Sequence, residues 1–251
     1  MSMPGDSAGA TLLAFDTSTE RLAVAVLAPS GEHLADEPGG ALASAGLLPC
    51  IRALLASAGL AQADWKADLQ AIAFGRGPGA FTGLRTSCAV AQGLAFGLGV
   101  PVLPIDSLLI VAEDARGQVA PGGEPFEVDV LMDARMAQIY AARYAWDGGR
   151  WSTLRPAELS TPLALAEAWR QRPPAHVAGS ALAVFGEQLP LPPAVRQMPV
   201  EQGRAAALLR LALLAWRAGE AVDAALGLPL YVRDKVAQTS AERQAERESA
   251  A

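Results

Sequence analysis

The sequence predicts an α/β protein of two similar lobes, each a mixed sheet flanked by helices. Three observations carry that prediction. Apolar runs of strand length alternate with helical patterns between residues 12 and 105, which sets helices against a sheet. The opening motif then returns at 130–144: an apolar strand ending in aspartate, a four-residue turn and a second strand, with Asp133 in the place of Asp16. That repeat is one of pattern more than of residue identity. Finally, 51% of the 251 residues are apolar and only 18% charged, enough to bury a sizeable core and too apolar for wholesale disorder.

Taken in order, residues 12–16 (LLAFD) read as a buried strand, Thr17 to Glu20 as a turn and 22–27 (LAVAVL) as a second strand. A turn at Pro29 to Gly31 and a glycine-rich stretch lead to 47–58, where Leu47, Leu48, Ile51, Leu54, Leu55 and Ala58 recur at helical spacing. Residues 69–74 (LQAIAF) form a strand that runs into GRGPGAFTGLR. Thr82 can cap a helix over 83–97, which Gly99 and Pro101 stop. A strand at 100–105 follows. Residues 115–126 (ARGQVAPGGEPF) read as an interlobe turn or insertion. In the second half, Thr161-Pro162 opens a helix to about Arg170. Residues 176–182 run as a strand into a glycine turn, and 204–217 form a helix apolar nearly all round. The expected lobes are 11–110 and 111–236, with a charged tail at 237–251 that lacks an apolar period and is expected to be disordered.

The formal net charge is −6 and no Lys/Arg run appears, so solo binding of RNA through counterion release is not expected. Cys50 and Cys88 stand alone in apolar helical patterns and are expected as buried thiols. His33 and His176 are isolated, which leaves no metal-ligand pattern, and no serine has a GxSxG setting. The N-terminus lacks a secretory pattern, and the most apolar stretch, 88–112, is broken by Gln92, Gly97, Gly99, Pro101, Pro104 and Asp106. No membrane association is expected, and a cytoplasmic location is.

Two sets of residues could hold a ligand. Gly75, Gly77 and Gly79, with Arg76 and Pro78 between them, lie between a strand and a helix start, where backbone N–H groups can meet an anion. The spacing matches neither GxGxxG nor GxxxxGK[ST], so a structural turn and a phosphate cradle both stay open. Asp16, Thr17 and Ser18 and their counterpart Asp133 sit at equivalent strand ends. In a two-lobed ATPase such loops clamp phosphates through glycines, whereas here Ser18-Thr19 and Arg135-Met136 follow the aspartates. A turn-forming role and ligand contact are equally open for both aspartates.

Several segments together resemble the TsaB (YeaZ) family, a branch of the actin-like, RNase H-like ATPase superfamily. They are LLAFDTSTERLAVAVL (12–27), AIAFGRGPGAFTGLRTSCAVAQGL (71–94), VPVLPIDSL (100–108), LMDARMAQIY (131–140) and PLYVRDKVAQT (229–239). The resemblance implies two RNase H-like lobes. It also implies a non-catalytic subunit that partners a catalytic paralogue, TsaD, and an ATPase, TsaE, in transferring threonylcarbamoyl to N6 of adenosine 37 in tRNA. ATP and metal would then belong to the partners, with none required by this chain, and tRNA would be met only through the complex. The alternative is an autonomous actin-like-fold ATPase or kinase. Family members often carry a histidine shortly before the Leu-Leu-Pro of the first long helix, where this chain has Ala43.

The family pairs its subunits through the first-lobe helices. Carried over, the expected contact residues are Leu47, Ile51, Leu54, Cys88, Ala91 and Ala95, with Arg76, Phe81 and Arg85 beside the glycine loop placed to meet either the partner or a nucleotide near the interface. Ordinary packing on the sheet is the competing account of the helix residues, and a buried loop anchor that of Phe81. A homodimer through the same face is expected when the partner is absent.

Overall fold

The computed structural model describes residues 9–60 and 65–233; the tail expected at 237–251 lies outside them. Two five-stranded mixed sheets form the framework. The first contains β1 (Leu12–Asp16), β2 (Arg21–Ala28), β3 (Gly31–Pro38), β4 (Ala71–Gly77) and β5 (Val102–Asp106), in the order β3-β2-β1-β4-β5. β2 and β3 follow β1 as an antiparallel meander, while β4 and β5 add in parallel on its other side. The second sheet contains β6 (Phe126–Asp133), β7 (Ile139–Trp146), β8 (Trp151–Ser160), β9 (His176–Ala178) and β10 (Arg196–Met198). Its order, β8-β7-β6-β9-β10, repeats the same directions strand for strand. This is the RNase H-like lobe twice over, and β6 stands where β1 does.

Helices cover both faces of each sheet. α1 (Ala43–Ser57) and α3 (Phe81–Leu98) lie on one face of the first sheet, over Phe15, Val24, Ile72 and Phe74. α5 (Pro162–Gln171) and α6 (Ala181–Phe185) cover the outer face of the second. The short α2 (Trp65–Asp68) precedes β4. The inner faces are covered by exchange. α4 (Ser107–Val119), which follows the first sheet in sequence, packs on the second, whereas α7 (Arg204–Arg217), which follows the second, packs on the first. α4 and α7 then pack on each other. Residue 110, where the sequence reading ends the first lobe, falls inside α4, and Ile110 itself packs in the core of the first sheet.

Several expectations need correction. The turn or insertion expected at 115–126 is α4 as far as Val119, and the charged residues of that helix are buried, with Arg116 donating to Glu113 at 2.8 and 2.9 Å. Asp114 accepts the N–H groups of Gln202 and Gly203 ahead of α7. The reading also missed β3 and β8, each an edge strand of its sheet. Their polar, part-exposed sequences carry no apolar alternation, and charged edges resist pairing with other chains. Thr82 does not cap α3: Ala80 holds that position without a side-chain bond. The buried helix at 204–217, Thr161 as the cap of α5 and the two buried free cysteines are as expected.

Candidate functional site

The ends of β1 and β4 meet because the glycines between them allow contact closer than a side chain would permit. A Cβ on Gly75 would lie 2.3 Å from the Asp16 carboxyl carbon, one on Gly79 2.4 Å from the Ser18 carbonyl oxygen, and one on Gly83 1.8 Å from that of Thr17. Only Gly77 has the left-handed φ (+103°) that glycine tolerates best. The glycine run is therefore filled by the 16–18 turn. Four of the backbone N–H groups there are also committed. Thr17 donates to Ser87 Oγ (3.0 Å), Ser18 to Asp16 Oδ1 (2.6 Å), Gly77 to Ser107 Oγ (3.0 Å) and Ala80 to the Ser18 carbonyl (2.7 Å).

Asp16 is fully buried. Its carboxylate accepts from Ser18 Oγ at 3.0 Å and from Arg204, the first residue of α7, through Nη2 at 2.5 Å and Nε at 3.2 Å. Arg204 also pairs with Glu201 at 2.5 Å and is itself buried. Nothing in the sequence reading named Arg204. The signal was an arginine beginning a helix that is otherwise largely apolar.

Across a cleft of about 550 Å3, Asp133 lies at the end of β6, its N–H held by Ser180 Oγ at 3.1 Å. Ser18, Gly79, Asp133, Arg135, Ser180 and Arg204 all line this cleft. Beyond Asp133, Arg135, Met136 and Ala137 have φ of +62°, +54° and +55°, a left-handed turn made without glycine. Arg135 bonds back to Asp133 and reaches over to Glu20 of the first lobe at 2.9 Å. The two strand-end loops thus face one another, and side chains rather than glycines fill the second.

Phe81 and Arg85 form a cluster with a residue the sequence reading left without a role, Tyr231. The Arg85 guanidinium stacks 3.8 Å from the Phe81 ring centre and donates from Nε to the Tyr231 hydroxyl at 3.0 Å, while Arg76 pairs with Asp106 at 2.6 Å. Phe81 and Tyr231 sit 5.7 Å apart, centre to centre. Residues 228–233 continue as a strap. Leu230 N–H bonds the Arg76 carbonyl at 2.7 Å on one lobe, and Arg233 bonds the Ala134 carbonyl at 2.9 Å on the other.

The helix residues expected to meet a partner are placed differently. Leu47, Ile51, Cys88, Ala91 and Ala95 are buried in the core between α1, α3 and the sheet, with Leu54 half-buried against it. They pack on the sheet, as the competing account held. Burial also pushes the Cys50 thiol up to about 11. The solvent face of α3 carries Arg85, Ala89, Gly93 and Phe96 instead, and that of α1 carries Ala45, Leu48, Arg52 and Ala56.

A family model described as TsaD, tRNA N6-adenosine threonylcarbamoyltransferase, matches residues 42–241. The solved structure of YeaZ from Pseudomonas aeruginosa is 37% identical, superposes with a TM-score of 0.76, and is covered over 99% of its length by 88% of this chain. The chain belongs to the TsaB (YeaZ) family. A second Pseudomonas aeruginosa structure, titled as similar to peptidase YEAZ, agrees, with 37% identity, a TM-score of 0.77 and 100% of that chain covered. Curated TsaB proteins are also similar: that of Haemophilus influenzae is 40% identical over 130 residues, and that of Escherichia coli 33% over 141. In these alignments the chain spans about half the length of its curated relatives, 52% and 58%. Among the described residues of this TsaB-family chain, no group of three or more His, Cys, Asp or Glu side chains is placed to hold a metal ion. No described helix is long and apolar enough to cross a membrane.

Proposed function

We propose that this chain is the non-catalytic scaffold or activating subunit of a tRNA threonylcarbamoyladenosine assembly, pairing with a TsaD-like catalytic paralogue and serving a TsaE-like ATPase. The observation that carries this reading is the outer face of α3 in a chain of the TsaB family. Phe96 is 87% exposed on a helix face that it shares with Arg85 and the small residues Ala89 and Gly93, and Leu48 on the neighbouring α1 is 45% exposed. Small residues let another backbone approach closely, and a lone exposed aromatic ring is the kind of anchor that carries interface energy. Burying it would contribute about 2 kcal/mol. Membership of the pathway is supported by the curated TsaB relatives.

The test is chromatography with light scattering on the chain and the TsaD-like protein of the same organism, with Phe96→Asp as the probe. The variant should keep the melting temperature of the parent, because Phe96 touches little in the free chain, and should lose the complex. Threonylcarbamoyl transfer by the reconstituted set, with the ATPase and ATP added, should fall with it. An undiminished complex with Phe96→Asp would remove this face from the reading, and transfer that proceeds without the chain would remove the scaffold role.

A further inference from the structure

The alternative reading, an autonomous two-lobed ATPase, needs a magnesium triphosphate held between the two strand-end loops, and the residues present do not fit one. The carboxylate that would face the cation is covered by a guanidinium, with Arg204 Nη2 at 2.5 Å from Asp16 Oδ2. The N–H groups of Thr17, Ser18, Gly77 and Ala80 bond within the chain. On the far side the Arg135 side chain spans to Glu20, where a phosphate loop would need open backbone.

Arg204 also stands where the chain passes between sheets. One passage runs from β5 into α4 at Ser107, whose carbonyl oxygen lies 3.4 Å from Arg204 Nη2. Another runs from β10 into α7 through Glu201, which pairs with Arg204 Nη1, and through Gln202 and Gly203, which donate to Asp114 of α4. A single guanidinium therefore ties the tip of β1 to both passages. The buried Asp16 carboxylate and the buried Arg204 cation, with Glu201 beside them at the cleft wall, are stable only while they remain together.

We propose that Arg204 is a built-in cation in the place a ligand-borne one would take, and that it locks the lobes at one opening angle without nucleotide. The lock rests on packing and charge within this chain and stands whether or not the partner reading holds. Electron–electron distance measurements can test it, with nitroxides at Glu32→Cys in the first lobe and Glu187→Cys in the second, on a background with Cys50 and Cys88 replaced by alanine. The parent should give one narrow distance, the same with and without millimolar Mg·ADP. Asp16→Asn/Arg204→Met, which removes the bridge while leaving no carboxylate at Asp16 uncompensated, should stay folded by circular dichroism and give a distribution at least twice as broad. A double variant as narrow as the parent would overturn the lock. So would a parent distance that shifts with Mg·ADP, and this arm decides alone if the variant does not fold.

Discussion

At the scale of single residues, the chain spends conformational energy in one place that the sequence could not announce. Arg135, Met136 and Ala137 adopt left-handed backbone in succession, at about 1 kcal/mol each for residues with a Cβ. The turn persists because Arg233 bonds the Ala134 carbonyl and Asp133 holds the Arg135 N–H and guanidinium. Ala137 is exposed and makes none of these bonds, so Ala137→Gly should stabilise the fold by about 1 kcal/mol, reversing the usual penalty for glycine. Urea denaturation of the two proteins checks this, and a lower midpoint for the variant would contradict the strain. The strand-end aspartates were legible because an aspartate closing an apolar run is visible in sequence. Their partner Arg204 was not, since it lies 188 residues from Asp16 and only the fold joins them.

At the scale of elements, α3 separates two kinds of glycine that look alike in sequence. Gly83 faces inward against the Thr17 carbonyl, whereas Gly93 faces outward with nothing within 4 Å of an added Cβ. Gly83→Ala should therefore cost about 3 kcal/mol through overpacking. Gly93→Ala should add up to about 1 kcal/mol to the isolated chain by helix propensity. Thermal melts of both variants decide it, and equal effects would mean the helix face is assigned wrongly. The helical period located α1 and α3 but gave only their apolar sides, which belong to the sheet. An interface has to be sought on the opposite side, where Arg85, Ala89, Gly93 and Phe96 of α3 mix charged, small and aromatic residues and carry no periodic signal. α4 was illegible for a related reason. Glu113, Asp114 and Arg116 look solvent-facing until Arg210 and Trp151 arrive from distant segments to bond Glu113.

At the scale of the whole molecule, the inner helices make stability depend on charge as well as on apolar contact. Desolvation tends to raise the Glu113 carboxyl, but the hydrogen bonds from Arg116 and Arg210 outweigh it and hold the group below its ordinary value of 4.5. A carboxyl held low in the folded state gives stability that is present above 4.5 and is lost as pH falls through the lowered value. Asp36 and Glu201, raised chiefly by burial, act with the opposite sign, so the useful quantity is a difference. The midpoint of denaturant unfolding should fall less between pH 6 and pH 4 in Glu113→Gln than in the parent, although the variant starts lower. Parallel profiles would show that Glu113 does not contribute to acid sensitivity. The exchange of α4 and α7 has a further consequence during synthesis, which runs from the N-terminus. The first sheet is complete once β5 has emerged from the ribosome, but the face bearing Leu12, Ala14, Ala23 and Ala25 stays bare until α7 arrives, after the whole second sheet has been made. Throughout that interval the nascent chain offers an uncovered apolar surface, which makes the timing of translation, and the chaperones that attend it, part of how this fold is reached.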